Sequence, residues 1–306
     1  MQPCTQLLTY FDVNLTYTPR MTRFLPIIFV LLWSTGFIGA KFGLPYAEPF
    51  TMLMWRMILV VPLFVGIAIL LKRPAIGVKD AMMQGLVGLL IHGVYLGGVF
   101  AAIYGGMPTG VSALYVSLNP LLIAGFSGII LHTAVSKREW FSLLLGFVGV
   151  FIVLYGASSW EGVINPKGIA WLTLALIGIC IGTLIQKRYA QKVDLVTGSI
   201  YQYGASLLFY IGLAFLLETR VVAWTPVFIS ALAWLVIALS LVAILLLLYM
   251  LRHGEATRVA SYFYLVPPFT AIQGWLFFDE KWSWLTFIGM VLVVAALAMG
   301  RPRKRP

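Results

Sequence analysis

The 306-residue chain is 61% hydrophobic and 10% charged, with a mean hydropathy of +0.97; soluble domains carry about a quarter of their residues as charges, so an ordinary water-soluble globule is excluded. Its net charge of +11 invites a nucleic-acid reading, but the basic residues sit in the gaps between apolar runs, where they report topology rather than a binding face. Two cysteines, Cys4 and Cys180, with no Cys/His cluster, exclude a disulfide scaffold and a thiolate metal centre.

Apolar stretches occupy approximately 24–42, 50–71, 81–104, 109–131, 140–157, 168–186, 196–217, 228–251, 256–278 and 282–300. Each approaches the roughly 20 residues that carry a helix across a bilayer. They lack the alternation of barrel strands, and in lipid only a helix or a closed barrel satisfies its own main chain. The expected fold is an all-α integral membrane protein with ten transmembrane helices. Residues 1–21 are polar and lack the apolar core of a signal peptide. They are expected to form a disordered cytoplasmic extension, with Met21 as the natural start. The boundaries that follow are a first five-helix unit over 22–157, a linker at 158–167, a second unit over 168–300 and a basic tail at 301–306.

With the N-terminus placed inside, the inner segments hold sixteen Lys and Arg, among them Arg23, Lys72, Arg73, Lys79, Lys137, Arg138, Lys187, Arg188, Lys192, Arg252 and Arg258. The outer segments hold only Lys41, Lys167, Arg220 and Lys281. Cytoplasmic loops are the basic ones, so both termini are expected in the cytoplasm.

The chain also resembles itself. Shifted by 146 positions, Gly36 meets Gly182, Lys41 meets Lys187, Glu48 meets Asp194, Thr51 meets Thr197 and Arg56 meets Gln202. Pro120 and Pro267 correspond at a shift of 147. Five spans per unit is an odd number, so the second unit enters the membrane from the opposite side. Two inverted repeats are common in secondary transporters, whose solute site lies between them near mid-bilayer.

Taken along the chain, few side chains carry chemistry. Trp33 in the first span supplies a flat aromatic face. Arg56 lies about 9 Å of helix rise into the second; it suits bidentate capture of a carboxylate or phosphate, or else a structural role, snorkelling outward or pairing with Glu48. His92 and Tyr95 share the third span, where His92 suits proton exchange or a neutral interhelical hydrogen bond. In the fourth, Ser112, Tyr115 and Asn119 follow helical spacing onto one face. Tyr262 in the ninth, the counterpart of Tyr115, completes a polar-aromatic set that either lines a cavity or glues helices together; Gln202 in the seventh and Gln273 in the ninth are similar, weaker cases. Pro120 and the Pro267-Pro268 pair break the fourth and ninth helices and are candidate gating hinges. No span centre holds Asp or Glu, and no phosphate-cradling, dinucleotide-binding or zinc-protease motif occurs.

These residues resemble the EamA-type branch of the drug/metabolite transporter superfamily. The resemblance rests on Leu32-Trp33-Ser34-Thr35-Gly36 with Lys41 and Pro45, on Arg56, on Ala113-Leu114-Tyr115 and Asn119-Pro120, and on Gly146-Phe147-Val148-Gly149-Val150. The second half adds Glu255-Ala256, Pro267, Asp279-Glu280 and Gly289. Glu280 stands nine residues before Gly289 as the family pattern has it, whereas Lys137 takes that place before Gly146. The resemblance implies ten helices, inverted repeats and export of small metabolites or drugs.

The reading that results is a secondary transporter of the bacterial inner membrane, exporting a small organic metabolite such as an amino acid by alternating access. A lipid-modifying membrane enzyme and a channel remain the alternatives. The partners expected are the lipid bilayer and a small-molecule substrate. A homodimer is allowed; no nucleic acid, metal or cofactor is expected.

Overall fold

A computed structural model describes residues 24–107, 109–132, 134–157, 165–190, 192–254, 256–278 and 283–299. The extension with Met21, linker residues 158–164, Glu255, Asp279, Glu280, Lys281 and the tail 301–306 lie outside the described residues. The helices are α1 (Leu25–Gly43), α2 (Pro49–Leu70), α3 (Val78–Tyr104), α4 (Thr109–Ile130), α5 (Lys137–Ala157), α6 (Pro166–Tyr189), α7 (Leu195–Leu217) and α8 (Pro226–His253). α9 runs from Ala256–Ser261 through a tight turn at Tyr262–Leu265 into Val266–Phe278, and α10 is Trp284–Met299. Among the described residues no strand forms, only an isolated bridge between Ala47 and Val222.

Seven helices, α1 to α4 and α6 to α8, are long and apolar enough to cross a membrane. Their starts are written in the sequence. Asn165, Asp194 and Thr225 each accept hydrogen bonds from main-chain N–H groups in the following turn, and Pro166 and Pro226 open their helices, where no N–H is required. α1, α2 and α3 carry no side-chain cap of their own. At α2, Glu48 precedes the helix without capping it, and the Glu218 carboxylate, from the end of α7, accepts from Phe50 N at 2.8 Å and Thr51 N at 2.6 Å.

The packing repeats when the two halves are exchanged. α3 lies on α6 as α8 lies on α1, α3 on α7 as α8 on α2, and α1 on α9 as α6 on α4. α2 with α7, α4 with α9, and α5 with α10 each pair with their own counterpart. Those three pairs run antiparallel. The start of α2 meets the end of α7 through Glu218, and past its far end Pro74 O accepts from Thr197 Oγ1 near the start of α7 at 3.0 Å. Ser142 early in α5 donates to Ala296 O late in α10 at 2.6 Å, and Ser127 late in α4 sits 3.3 Å from Thr257 early in α9. The equivalent helices of each pair therefore run in opposite senses.

Two further features recur. α3 and α8 each contain a π-helical stretch, Leu89–Val94 and Leu235–Ala243. α4 and α9 are each interrupted, at Ser117–Leu118 and at Tyr262–Leu265. Pro120 and Pro267 therefore stand in the first turn of a new helical segment rather than inside a continuous helix. The same turn stands between Tyr115 and Asn119, so Ser112, Tyr115 and Asn119 do not share one unbroken helix.

Lipid supplies little apolar driving force for helix association, so close packing has to supply it. Gly88 of α3 sits directly against the main chain of Gln202 on α7, and Gly98 against Trp171 O and Ala175 on α6. Gly88→Leu is expected to destabilise the fold by about 2 kcal/mol or more and to lower its melting temperature in detergent. Gly66→Ala, where no atom lies within 4 Å of an added Cβ, is expected to be neutral. Equal behaviour of the two variants would contradict this packing.

Candidate functional site

The centre of the bundle holds a cavity of about 40 Å³, lined by α1 (Trp33, Gly36, Phe37), α2 (Arg56), α3 (Ile91, His92, Tyr95, Leu96, Val99, Phe100) and α8 (Leu239, Ile244). Four side chains singled out from sequence meet here: Trp33, Arg56, His92 and Tyr95. Trp33 and Tyr95 stack at 6.2 Å between ring centroids, and Phe29 and Phe263 pack around the indole.

Arg56 is 4% exposed. Its Nε donates to Ser240 Oγ on α8 at 2.8 Å. No carboxylate pairs with it among the described residues. The proposed partner Glu48 is engaged elsewhere, accepting from Thr219 N at 2.7 Å and Thr219 Oγ1 at 2.6 Å. A buried cation without a counter-ion is costly unless something else neutralises it.

His92 is 1% exposed. Its Nε2 is 3.2 Å from Gln202 Oε1, and its ring stacks on Tyr203 at 4.2 Å. The hydrogen bond is the image of the one that Arg56 makes. Arg56 and Gln202 occupy equivalent positions, as do His92 and Ser240 at a shift of 148. The bond Arg56–Ser240 thus recurs as Gln202–His92 when the halves are exchanged.

The two π stretches are held from a single helix. Tyr203 Oη donates to Ser240 O at 2.8 Å, and Tyr210 Oη donates to His92 O and Gly93 O, both at 2.7 Å. A π stretch leaves carbonyls without their usual helical donors, and these hydroxyls supply them. The tyrosines are seven residues apart and so share one face of α7. Neither was singled out from sequence. Their signal was available in the spacing and in their neighbourhood to Gln202, but nothing in the sequence marks a π stretch. Ser240, Gln84 and Gln186 were missed likewise.

The remaining candidates lie away from the lining. Gln202 stands behind His92 and donates to Gln84 Oε1 at 2.6 Å and Gln186 Oε1 at 3.2 Å. Tyr115 turns to Thr173 on α6 at 2.7 Å. Tyr262 is half-buried in the turn of α9. Asn119 is fully buried at the break in α4, with neither amide atom partnered among the described residues. Gln273 donates to Ser34 Oγ at 2.8 Å.

A second cavity, of about 290 Å³, opens at the Glu48 end, lined by Glu48, Phe50, Tyr104, Asn165, Lys167, Trp171 and Glu218 among others. Phe100 lines the central cavity and the adjacent Ala101 the second, so the two are neighbours along α3. Burial, supported by the nearby Glu48 charge and opposed by the Phe50 and Thr51 donors, holds the Glu218 carboxyl above its ordinary value.

The model of the EamA-like transporter family matches residues 21–155 and again 166–299. The chain belongs to that family. Its EamA relatives include the uncharacterized transporter YvbV of Bacillus subtilis, 23% identical over 91% of this chain and 90% of its own. An uncharacterized transporter of Archaeoglobus fulgidus is 26% identical over 90% and 96%. The uncharacterized inner membrane transporter YedA of Escherichia coli is 23% identical over 92% and 94%. A crystal structure at 16% identity superposes with a TM-score of 0.75, covering 90% of this chain and 96% of that one, and shares the fold. The chain is a multi-pass membrane transporter with the two-repeat EamA architecture, not an enzyme.

Arg56 separates a binding role from a structural one. Arg56→Met removes an uncompensated buried charge and is expected to leave the ligand-free protein at least as stable, by roughly 1–3 kcal/mol, in thermal unfolding in detergent. A marked loss of stability would assign Arg56 to holding the helices together.

Proposed function

We propose that the chain is a secondary carrier of the bacterial inner membrane, moving a small organic acid such as an amino acid outward by alternating access. The observation that carries this reading is Arg56: a cation in a central cavity, bonded to a serine and lacking any acidic partner among the described residues. A solute carboxylate or phosphate would supply the missing charge through a bidentate contact. The flanking Trp33, Tyr95, Leu96 and Val99 would receive its apolar part.

In this reading α5, α9 and α10 cross the membrane as well, giving ten spans in two units, 22–157 and 168–300. The antiparallel pairing of equivalent helices supports an inverted relation, and exchange of conformation between two such halves opens a midpoint site to each side in turn. The end bearing Lys72, Arg73, Lys137, Lys187, Arg188 and Arg252 is cytoplasmic, as are both termini. The breaks before Pro120 and Pro267 are the hinges. No cofactor takes part; the partners are lipid, the solute and, where the chain self-associates, a second copy.

Purified protein in liposomes is expected to exchange radiolabelled amino and other organic acids from a broad panel, and Arg56→Ala to cut that flux roughly tenfold to a hundredfold. Flux no greater than in empty liposomes would overturn the carrier reading, and single-channel conductance in planar bilayers would replace it with a pore.

A further inference from the structure

Behind His92 lies a chain of buried amides whose polarity can be followed atom by atom. Gln84 Nε2 donates to the main-chain carbonyl of Ala190, just past α6, at 3.1 Å. A carbonyl oxygen only accepts, so the Gln84 amide is fixed with its own oxygen on the other side. That oxygen accepts from Gln202 Nε2, and Gln186 Oε1 takes the second hydrogen of the same nitrogen. With both N–H groups of Gln202 assigned, its Oε1 faces His92 Nε2. An amide oxygen also only accepts, so His92 Nε2 carries the ring hydrogen. Gln84, Gln186, Gln202 and His92 are 2%, 3%, 1% and 1% exposed, so bulk water does not compete for these bonds. Gly198 lies flat against the Gln84 amide, where a side chain would crowd it.

The direction of one backbone carbonyl is thereby transmitted through α3 and α7 to an imidazole on the cavity wall. In a neutral ring with Nε2 donating, Nδ1 is the acceptor. It has no hydrogen-bond partner among the described residues. His92 lines the same cavity as Arg56.

The geometry points to Gln202, with Gln84 and Gln186 behind it, as positioning residues that lock His92 in its Nε2–H tautomer, so that the cavity presents a cation and a hydrogen-bond acceptor side by side. This rests on the reading of the cavity as the solute site. The ligand class that satisfies both groups carries an acid function and, close to it, a donor: an ammonium or a hydroxyl. A plain monocarboxylate satisfies Arg56 alone and offers His92 Nδ1 no partner. A dianion sets an acceptor against an acceptor.

The tautomer is read directly by nitrogen-15 magnetic resonance on histidine-labelled protein in nanodiscs at neutral pH. The background is His132→Gln/His253→Gln, two exposed positions away from the cavity. The expected spectrum shows a protonated Nε2 and a bare Nδ1. An Nδ1–H ring or an imidazolium would overturn the proposal. The second arm measures binding of leucine, 2-hydroxy-4-methylpentanoate and 4-methylpentanoate, which share one apolar chain and differ in the donor. The first two are expected to bind roughly tenfold to a hundredfold more tightly than the third. Gln84→Leu, which cuts the chain at its anchor, is expected to mix the tautomers and narrow that ratio without weakening 4-methylpentanoate. Equal binding of all three to the native chain, or binding of none, would overturn the acid-plus-donor assignment. Failure of the carrier reading itself would appear differently, as absence of flux for every solute in liposomes. Should Gln84→Leu misfold, the tautomer of the native chain still decides.

Discussion

Everything in this fold hangs on the antiparallel pairing of α2 with α7. In hydrocarbon a polar group without a partner costs several kcal/mol, so a helix pair that carries its own polar latches is strongly specified. One end is closed by Glu218 on the first turn of α2 and by Glu48 on Thr219. The other is closed by Thr197 on Pro74 O and by Arg73 and Asp194 at 3.7 Å. Glu48 and Asp194 are equivalent positions, as are Thr219 and Arg73. The Glu48–Thr219 and Asp194–Arg73 contacts are therefore one device used twice, and the pairing holds α2 and α7 in opposite senses. α7 then sets the geometry of α3 and α8, since Tyr203 and Tyr210 supply the donors that their π stretches require.

On this symmetric frame the chemistry is asymmetric. The same hydrogen bond joins Arg56 to Ser240 and Gln202 to His92, but only one of the pair carries a permanent charge. That charge sits on the cavity wall while its image, Gln202, is turned away into an amide chain. In the proposed carrier, two conformations of similar energy would come from halves that pack alike, and a single solute site from the residues that differ between them.

Much of this is legible in the sequence, and the gaps have physical causes. Helix positions follow from apolar runs because the bilayer criterion is local, and Asn165, Asp194 and Thr225 mark starts through capping chemistry. Arg56, His92, Trp33 and Tyr95 stand out as functional groups in an apolar background, and the structure gathers them. The one-face reading of Tyr115 and Asn119 takes the helix as unbroken; the turn at Ser117–Leu118 stands between them, and Tyr115 bonds Thr173 while Asn119 is buried. Gln84 and Gln186 near helix ends look like ordinary interfacial amides; only their convergence from different helices makes them a chain. Glu218 caps a helix remote in sequence, and no local pattern reveals a cap supplied from elsewhere.

The claim at the centre is that Arg56 awaits the negative charge of a solute. The direct measurement is equilibrium binding of an acid and of its uncharged amide, leucine and leucinamide for instance, to the native protein and to Arg56→Gln in nanodiscs. The expected result is that the native protein prefers the acid by at least about tenfold and that Arg56→Gln binds both alike. Equal affinity of the native protein for acid and amide, or a preference that survives in Arg56→Gln, would contradict it.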